Sequence, residues 1–136
     1  MRLYLLDTNT VSYILNGRSM AARKQLYSLP PTDAACFSAI TEAELYYGIA
    51  KLHNNRRRLA LNVLLLKVPV RPWDSDAAAV YGPLRAKLES GGRMLAPLDT
   101  QIAAHAIALG ATLVTRDKAF QQVSDLPGLV NWATDL

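Results

Sequence analysis

The strongest constraint on this chain is a pattern that recurs along it. A short apolar run ends on a polar or acidic residue and passes at once into a helix-forming segment. "LYLL" (residues 3–6) ends on Asp7 and leads into "TNTVSYIL". "AACFSAI" (residues 34–40) leads through Thr41 into "TEAELYYGIAKL", and "TLVTRD" ends on Asp117. Strands separated by helices cannot pair as tight hairpins, so the alternation predicts a parallel sheet with helices on both faces.

The remaining segments fit that scheme. Thr8 or Asn9 is positioned to cap a first helix running to Leu15. "NNRRRLALNVLLL" has the spacing of an amphipathic helix, and "KVPV" is a short strand that Pro69 confines to an edge. Ser75 or Asp76 is placed to cap a helix through "AAAVYGPLRAKLES", which Gly82 and Pro83 are expected to bend or interrupt. "LDTQIAAHAIALGA" is an alanine-rich helix with Gly110 as its C-cap, and "PGLVNWA" supplies a last short strand. The expected fold class is α/β, one domain over residues 1–136, with a central mostly parallel sheet flanked by helices on both faces. A chain of 136 residues can bury roughly two thirds of its unfolded surface, enough for one core.

Composition excludes several classes. A single cysteine, Cys36, rules out an intramolecular disulfide framework, and with only His53 and His105 beside it a zinc cage of thiolates and imidazoles is not expected. No apolar run reaches about 18 residues, and an acid appears at Asp7 before any basic-then-apolar leader, so the expectation is a cytoplasmic chain without membrane contact. Fifteen Lys and Arg against eleven Asp and Glu leave a net charge of +4, which favours a polyanionic partner. The charge is clustered, with Lys51, Arg56, Arg57 and Arg58 in one stretch and Arg85, Lys87 and Arg93 in another. A solvated helix end accounts for either cluster taken alone.

The acids carry more information. Open α/β sheets bind their ligands beyond the carboxyl ends of their strands, where Asp7 and Asp117 are expected to lie. Asp99 at the start of the alanine-rich helix and a glutamate early in the "TEAEL" helix can face the same crevice. Carboxylates brought that close raise one another's pKa or require a cation, and an all-oxygen donor set selects Mg²⁺ or Mn²⁺. Each acid also has a plain structural use, as a turn former, a helix cap or a favourable charge in a first helical turn. Periodicity does not choose between Glu42 and Glu44, since both have apolar neighbours on their own side of the helix.

"LLDTN", "SAITEAELYYGIAK", "LAPLDTQIAAHA" and "LVTRDKAF" resemble, in order and spacing, the four signature segments of the PIN-domain family, and most closely the VapC toxins of VapBC toxin–antitoxin systems. The resemblance spans almost the whole chain. It implies Asp7, Glu44, Asp99 and Asp117 as the acidic, metal-binding and catalytic set, with Glu44 selected because it stands four residues before Gly48. It also places Asn9, Ser38 and Thr115 as supporting polar residues. Asp117 is the acid that some relatives replace by asparagine, which gives it the weaker claim to be a direct ligand.

The implied activity is Mg²⁺- or Mn²⁺-dependent hydrolysis of RNA, with water as nucleophile, and the implied target is a structured RNA such as tRNA or rRNA. Arg56, Arg57, Arg58, Arg93, Arg116 and Lys118 are candidates to hold the RNA backbone. The implied partners are a small VapB-type antitoxin, a second copy of the chain, and operator DNA reached through the antitoxin. His105 matches a frequent family position, yet on an alanine-rich helix it is expected to be a packed structural residue. A receiver-type switch needs an adjacent acidic pair after the first strand, and a haloacid-dehalogenase-type phosphatase needs a second Asp two residues on; "LLDTN" offers neither. The remaining rival is a PIN-fold module that binds nucleic acid with a partner and does not cut it.

Overall fold

The computed structural model describes all residues, 1–136. Its elements follow the order β1 (Leu3–Leu6), α1 (Thr8–Leu15), α2 (Met20–Tyr27), β2 (Ala34–Ser38), α3 (Ala39–Leu52), α4 (Asn55–Leu65), β3 (Val70–Arg71), α5 (Ser75–Ser90), α6 (Pro97–Leu109), β4 (Thr112–Val114) and β5 (Gly128–Val130). A short 3₁₀ helix, Lys118–Gln122, lies between β4 and β5. The strands form one sheet in the order β3-β2-β1-β4-β5, and every pairing is parallel.

Strand alternation divides the core into two layers. Tyr4 and Leu6 of β1 join Phe37 and Val114 on one face, packed against Val11 and Ile14 of α1, Leu26 of α2, Leu45 and Ile49 of α3, and Leu61 and Leu64 of α4. Leu5, Cys36 and Leu113 point the other way, onto Leu84 and Leu88 of α5 and the small residues Ala103, Ala104 and Ala106 of α6. Those alanines are wholly buried, so α6 can lie close to the sheet that it covers. Burial also pushes the Cys36 thiol up to about 11, which keeps it protonated and inert.

Local chemistry corrects four expectations. The cap of α1 is Asp7 itself, whose side chain accepts from the Thr10 N–H, and not Thr8 or Asn9. Asp74 caps α5 by accepting from the Asp76 and Ala77 N–H groups, so the cap lies one residue before Ser75. Helix α5 also runs through Gly82 and Pro83 uninterrupted. Both residues are exposed, and the carbonyl that Pro83 leaves without a donor belongs to exposed Ala79, where it is open to solvent. Strand β3 lies at the sheet edge as expected, but it covers only Val70–Arg71 and not "KVPV", because Pro69 has no N–H to donate and the strand starts after it.

Gly128 is required where β5 meets β4. A Cβ there would stand 2.8 Å from Thr112 Oγ1 and 3.2 Å from Thr112 Cγ2. Gly128→Ala is therefore expected to destabilise the protein by about 1–3 kcal/mol through overpacking. Thermal melts should show the loss and its partial recovery when Thr112 is shortened to serine or alanine.

Candidate active site

The carboxyl ends of β1 and β4 are adjacent, and the site is assembled there. Chain direction turns at Asp7, where the strand ladder ends with Asp7 N–H donating to the Val114 carbonyl at 3.0 Å. The Asp7 side chain is 5% exposed. One carboxylate oxygen accepts from the Thr10 N–H at 2.8 Å and the other from the Thr115 hydroxyl at 2.5 Å. Thr115 in turn accepts from the Asp117 N–H at 3.0 Å, so one hydroxyl fixes two of the candidate acids relative to each other. Asp117 lies just beyond β4 and accepts from the Ala119 N–H at 2.9 Å, capping the 3₁₀ helix.

Asp99 reaches the crevice from the opposite layer. Pro97 opens α6 and Ala96 occupies its cap position without a side-chain bond, so Asp99 is not a capping residue. It lies in the first turn, where the helix dipole favours a negative charge.

Electrostatics shows which acids share one field. Desolvation pushes the Asp7 carboxyl up, its two hydrogen bonds oppose that shift, and the charge of Asp117 adds to it. Desolvation also raises Asp99, followed by the charges of Asp117 and Asp7. No Lys or Arg compensates them, because the ion pairs in the molecule are Arg85–Glu89 and Lys87–Asp125.

Glu44 stands apart. Its side chain is exposed on α3, and it is not among the charges acting on Asp7 or Asp99. As the side chains are placed, no three His, Cys, Asp or Glu residues come close enough to hold one ion. Asp7, Asp99 and Asp117 therefore share one electrostatic field without closing on a single point, and Glu44 stands outside that field. Spacing still separates Glu44 from Glu42. Thr41 is buried and its hydroxyl lies 3.0 Å from that of Thr8, next to Asp7. Glu44 follows Thr41 by three residues, on the same side of the helix, whereas Glu42 is one step around it.

The supporting residues divide by role. Thr115 bridges two acids, Asn9 is exposed in a hollow that it shares with Asp117, and Ser38 is buried and caps α3 by accepting from the Ile40 N–H at 3.1 Å. Arg116 and Lys118 line the same hollow as Asp117. Arg56, Arg57 and Arg58 occupy the first turn of α4. Arg93 is half-buried, and its guanidinium donates to the Gln122 carbonyl at 3.4 Å, tying down the loop before α6. His105 is 1% exposed and its Nδ1 has no partner; burial holds its pKa down, as expected of a packed neutral imidazole. The Thr8–Thr41 hydroxyl pair, which ties α1 to α3 beside the acids, was not legible in the sequence because its members are 33 residues apart.

Residues 4–126 match the PIN domain. The chain belongs to the PIN-domain family. Within that family it is 33% identical to "Ribonuclease VapC2" of Rickettsia felis over 132 residues, covering 96% of this chain and 98% of that protein. It is 31% identical to the "tRNA(fMet)-specific endonuclease VapC" of Shigella flexneri, covering 93% of this chain and 96% of the relative. This PIN domain also superposes with a TM-score of 0.88 on a chain of the VapBC2 complex from Rickettsia felis bound to a promoter DNA fragment. There the identity is 32%, with 96% of this chain and 98% of the other covered.

Proposed function

We propose that this PIN domain is a metal-dependent endoribonuclease, the toxin of a VapBC-type pair, and that it inhibits translation by cutting a structured RNA such as tRNA or rRNA. The observation that carries the proposal is the convergence of Asp7, Asp99 and Asp117 in one field without a cationic partner. The chemistry of this donor set suits a divalent cation, since it consists of carboxylate oxygens that retain acceptor capacity beyond their bonds to Thr10, Thr115 or Ala119, and an ion bound there would have to draw the carboxylates closer than they stand without it. Asp7, Asp99 and Asp117 would hold Mg²⁺ or Mn²⁺, with Glu44 completing the set from α3. Bound there, the metal supplies a water of lowered pKa and offsets charge on the scissile phosphate.

The chain's own residues do the positioning. Thr115 and the Thr10 N–H fix the Asp7 carboxylate, and the Thr115 hydroxyl also holds the backbone of Asp117. Arg116 and Lys118 beside Asp117 are placed to attract the RNA backbone. The names of the relatives support the activity and, through the promoter-bound complex, a small antitoxin that links the toxin to operator DNA. We extend this to a homodimer and a larger toxin–antitoxin assembly acting in the cytoplasm; no helix is long and apolar enough to cross a membrane. The exposed position of Glu44 is the feature that a non-cutting regulatory module would share.

Brief induction followed by sequencing of RNA ends separates the two. The nuclease reading predicts growth arrest, new ends at a few sites in one RNA class, and relief by the co-expressed antitoxin. Arrest without new RNA ends would favour the binding module.

A further inference from the structure

The acidic crevice does not end at Asp117 but continues into a groove along the β5 edge of the sheet. A hollow lined by Asn9, Tyr13, Arg116, Asp117, Lys118 and Asn131 adjoins a second that shares Arg116, Asp117, Lys118 and Asn131 and adds Leu129 and Val130. A third, of about 890 Å³, takes over at Leu129, Val130 and Asn131 and runs between β5 and α2 to Lys24 and Arg2. Strand β5 contributes three residues, so this last stretch follows roughly 10 Å of strand.

The groove is basic and polar. Arg2, Lys24, Arg116 and Lys118 line it, none of them in an ion pair, against the acids Asp117 and the backbone carboxylate of Leu136 at its end. The Arg2 guanidinium lies 6.0 Å from the centre of the Tyr4 ring and donates to the Tyr4 hydroxyl at 3.3 Å, which holds it at the groove wall. The nearest counter-charge, Asp33, accepts from the Arg2 backbone N–H at 3.2 Å. Asn131 accepts from the Ala133 N–H at 2.9 Å through Oδ1, which leaves its amide NH₂ free to donate.

We propose that this groove carries the RNA strand on one side of the scissile phosphate, with Arg116 and Lys118 at the cutting end and Lys24 and Arg2 holding phosphates farther out. The proposal rests on the nuclease reading of the acidic crevice. An acidic peptide would meet the same basic side chains, and it is the continuity of the groove with the crevice where a phosphate would be cut that favours RNA. Single-stranded RNA gains from each basic contact, and its hold should weaken as salt rises.

The test compares the purified chain with Lys24→Glu, Lys24→Ala, Arg2→Ala and a charge-matched control, Arg23→Glu. Arg23 is next to Lys24 on α2 but stacks over Tyr27 at 5.5 Å, outside the groove. Binding of a fluorescent single-stranded oligoribonucleotide is measured in EDTA across a salt series, and cleavage kinetics are measured with Mn²⁺. Lys24→Ala should raise Kd and KM several-fold at low salt while kcat holds, and should flatten the log K against log salt slope by about 0.7. Lys24→Glu should do more, and Arg23→Glu should match the parent. Melting curves identify any loss due to unfolding, with Lys24 variants deciding if Arg2→Ala melts early.

Equal Kd, KM and salt slope for Lys24→Glu and the parent, in a parent that cuts RNA, would overturn the groove and leave the nuclease standing. A parent that binds RNA through Lys24 but never cuts would sink the nuclease and keep the groove. If Lys24→Glu instead abolished capture of the antitoxin with RNA binding intact, the groove would be a protein surface and the proposal wrong.

Discussion

Asp7→Asn should lower the rate of RNA cleavage by more than about 100-fold while leaving the protein folded. Groups that only orient a metal ligand are worth about 10–100-fold, so a direct ligand at the centre of the crevice should exceed that range. Asparagine keeps one oxygen to accept from the Thr10 N–H, so the α1 cap survives and the loss reports on charge. Thr115→Val tests the positioning role beside it. It removes the hydroxyl that donates to Asp7 and receives the Asp117 N–H, and it should fall within the 10–100-fold band. Single-turnover cleavage with circular dichroism on each variant is the measurement. Full activity in Asp7→Asn would remove Asp7 from the chemistry.

Stability should respond in the opposite sense. Metal-free Asp99→Asn is expected to melt a few degrees higher than the metal-free parent, because the parent half-buries this carboxylate in the field of Asp117 and Asp7. The loss of a favourable charge in the first turn of α6 opposes this by about 0.3–1 kcal/mol. Loss of a cap does not enter, since Asp99 makes no capping bond.

The pH dependence has a definite sign. The Asp7 and Asp99 carboxyls are raised in the folded state, so their contribution to stability is fully present below the ordinary carboxylate range and is lost as pH rises through their raised values. The melting advantage of Asp99→Asn should therefore widen as pH rises out of that window. Mn²⁺ should reverse the order, raising the parent more than the variant, because a ligand stabilises in proportion to its affinity for the folded state. Equal Mn²⁺ responses would make Asp99 a bystander.

The contrast between these acids shows what the sequence carried. Strand and helix alternation was legible because β1, β2 and β4 each bury both faces and stand out as apolar runs. Helix α2 carries no comparable signal, since only Ala22 and Leu26 of its residues are buried and its start depends on the Ser19 cap. Ser19 is itself fixed by Asp135, which accepts from its hydroxyl at 2.6 Å across 116 residues of sequence, a contact no local pattern announces. The caps Asp7 and Asp74 stand one or two residues before the expected positions because each carboxylate reaches forward to N–H groups two or three residues on.

In the site, the positions of Asp7 and Asp117 beyond strand ends and of Asp99 in a first helical turn were readable, and their shared field follows from them, whereas Glu44 falls in the second turn because α3 starts at Ala39. That Asp7 and Asp117 cap helices and also share Thr115 was not readable, because the hydroxyl is 108 residues from Asp7. The basic side chains beside it are equally scattered in the sequence: Arg2 and Lys24 come together only at the hollow between α2 and β5, and Arg116 lines the hollow that adjoins it.

The central claim is that the acidic crevice works through a divalent cation, and metal titration of RNA cleavage tests it most directly. The purified chain, stripped with EDTA, should leave RNA intact, regain cutting when Mg²⁺ or Mn²⁺ is restored in excess, and lose that recovery in Asp7→Asn and Asp99→Asn. Glu44→Gln should fail to recover as well, whereas Glu42→Gln should behave like the parent. Robust cleavage of RNA in EDTA, or full metal-restored cleavage in Asp7→Asn, would contradict it.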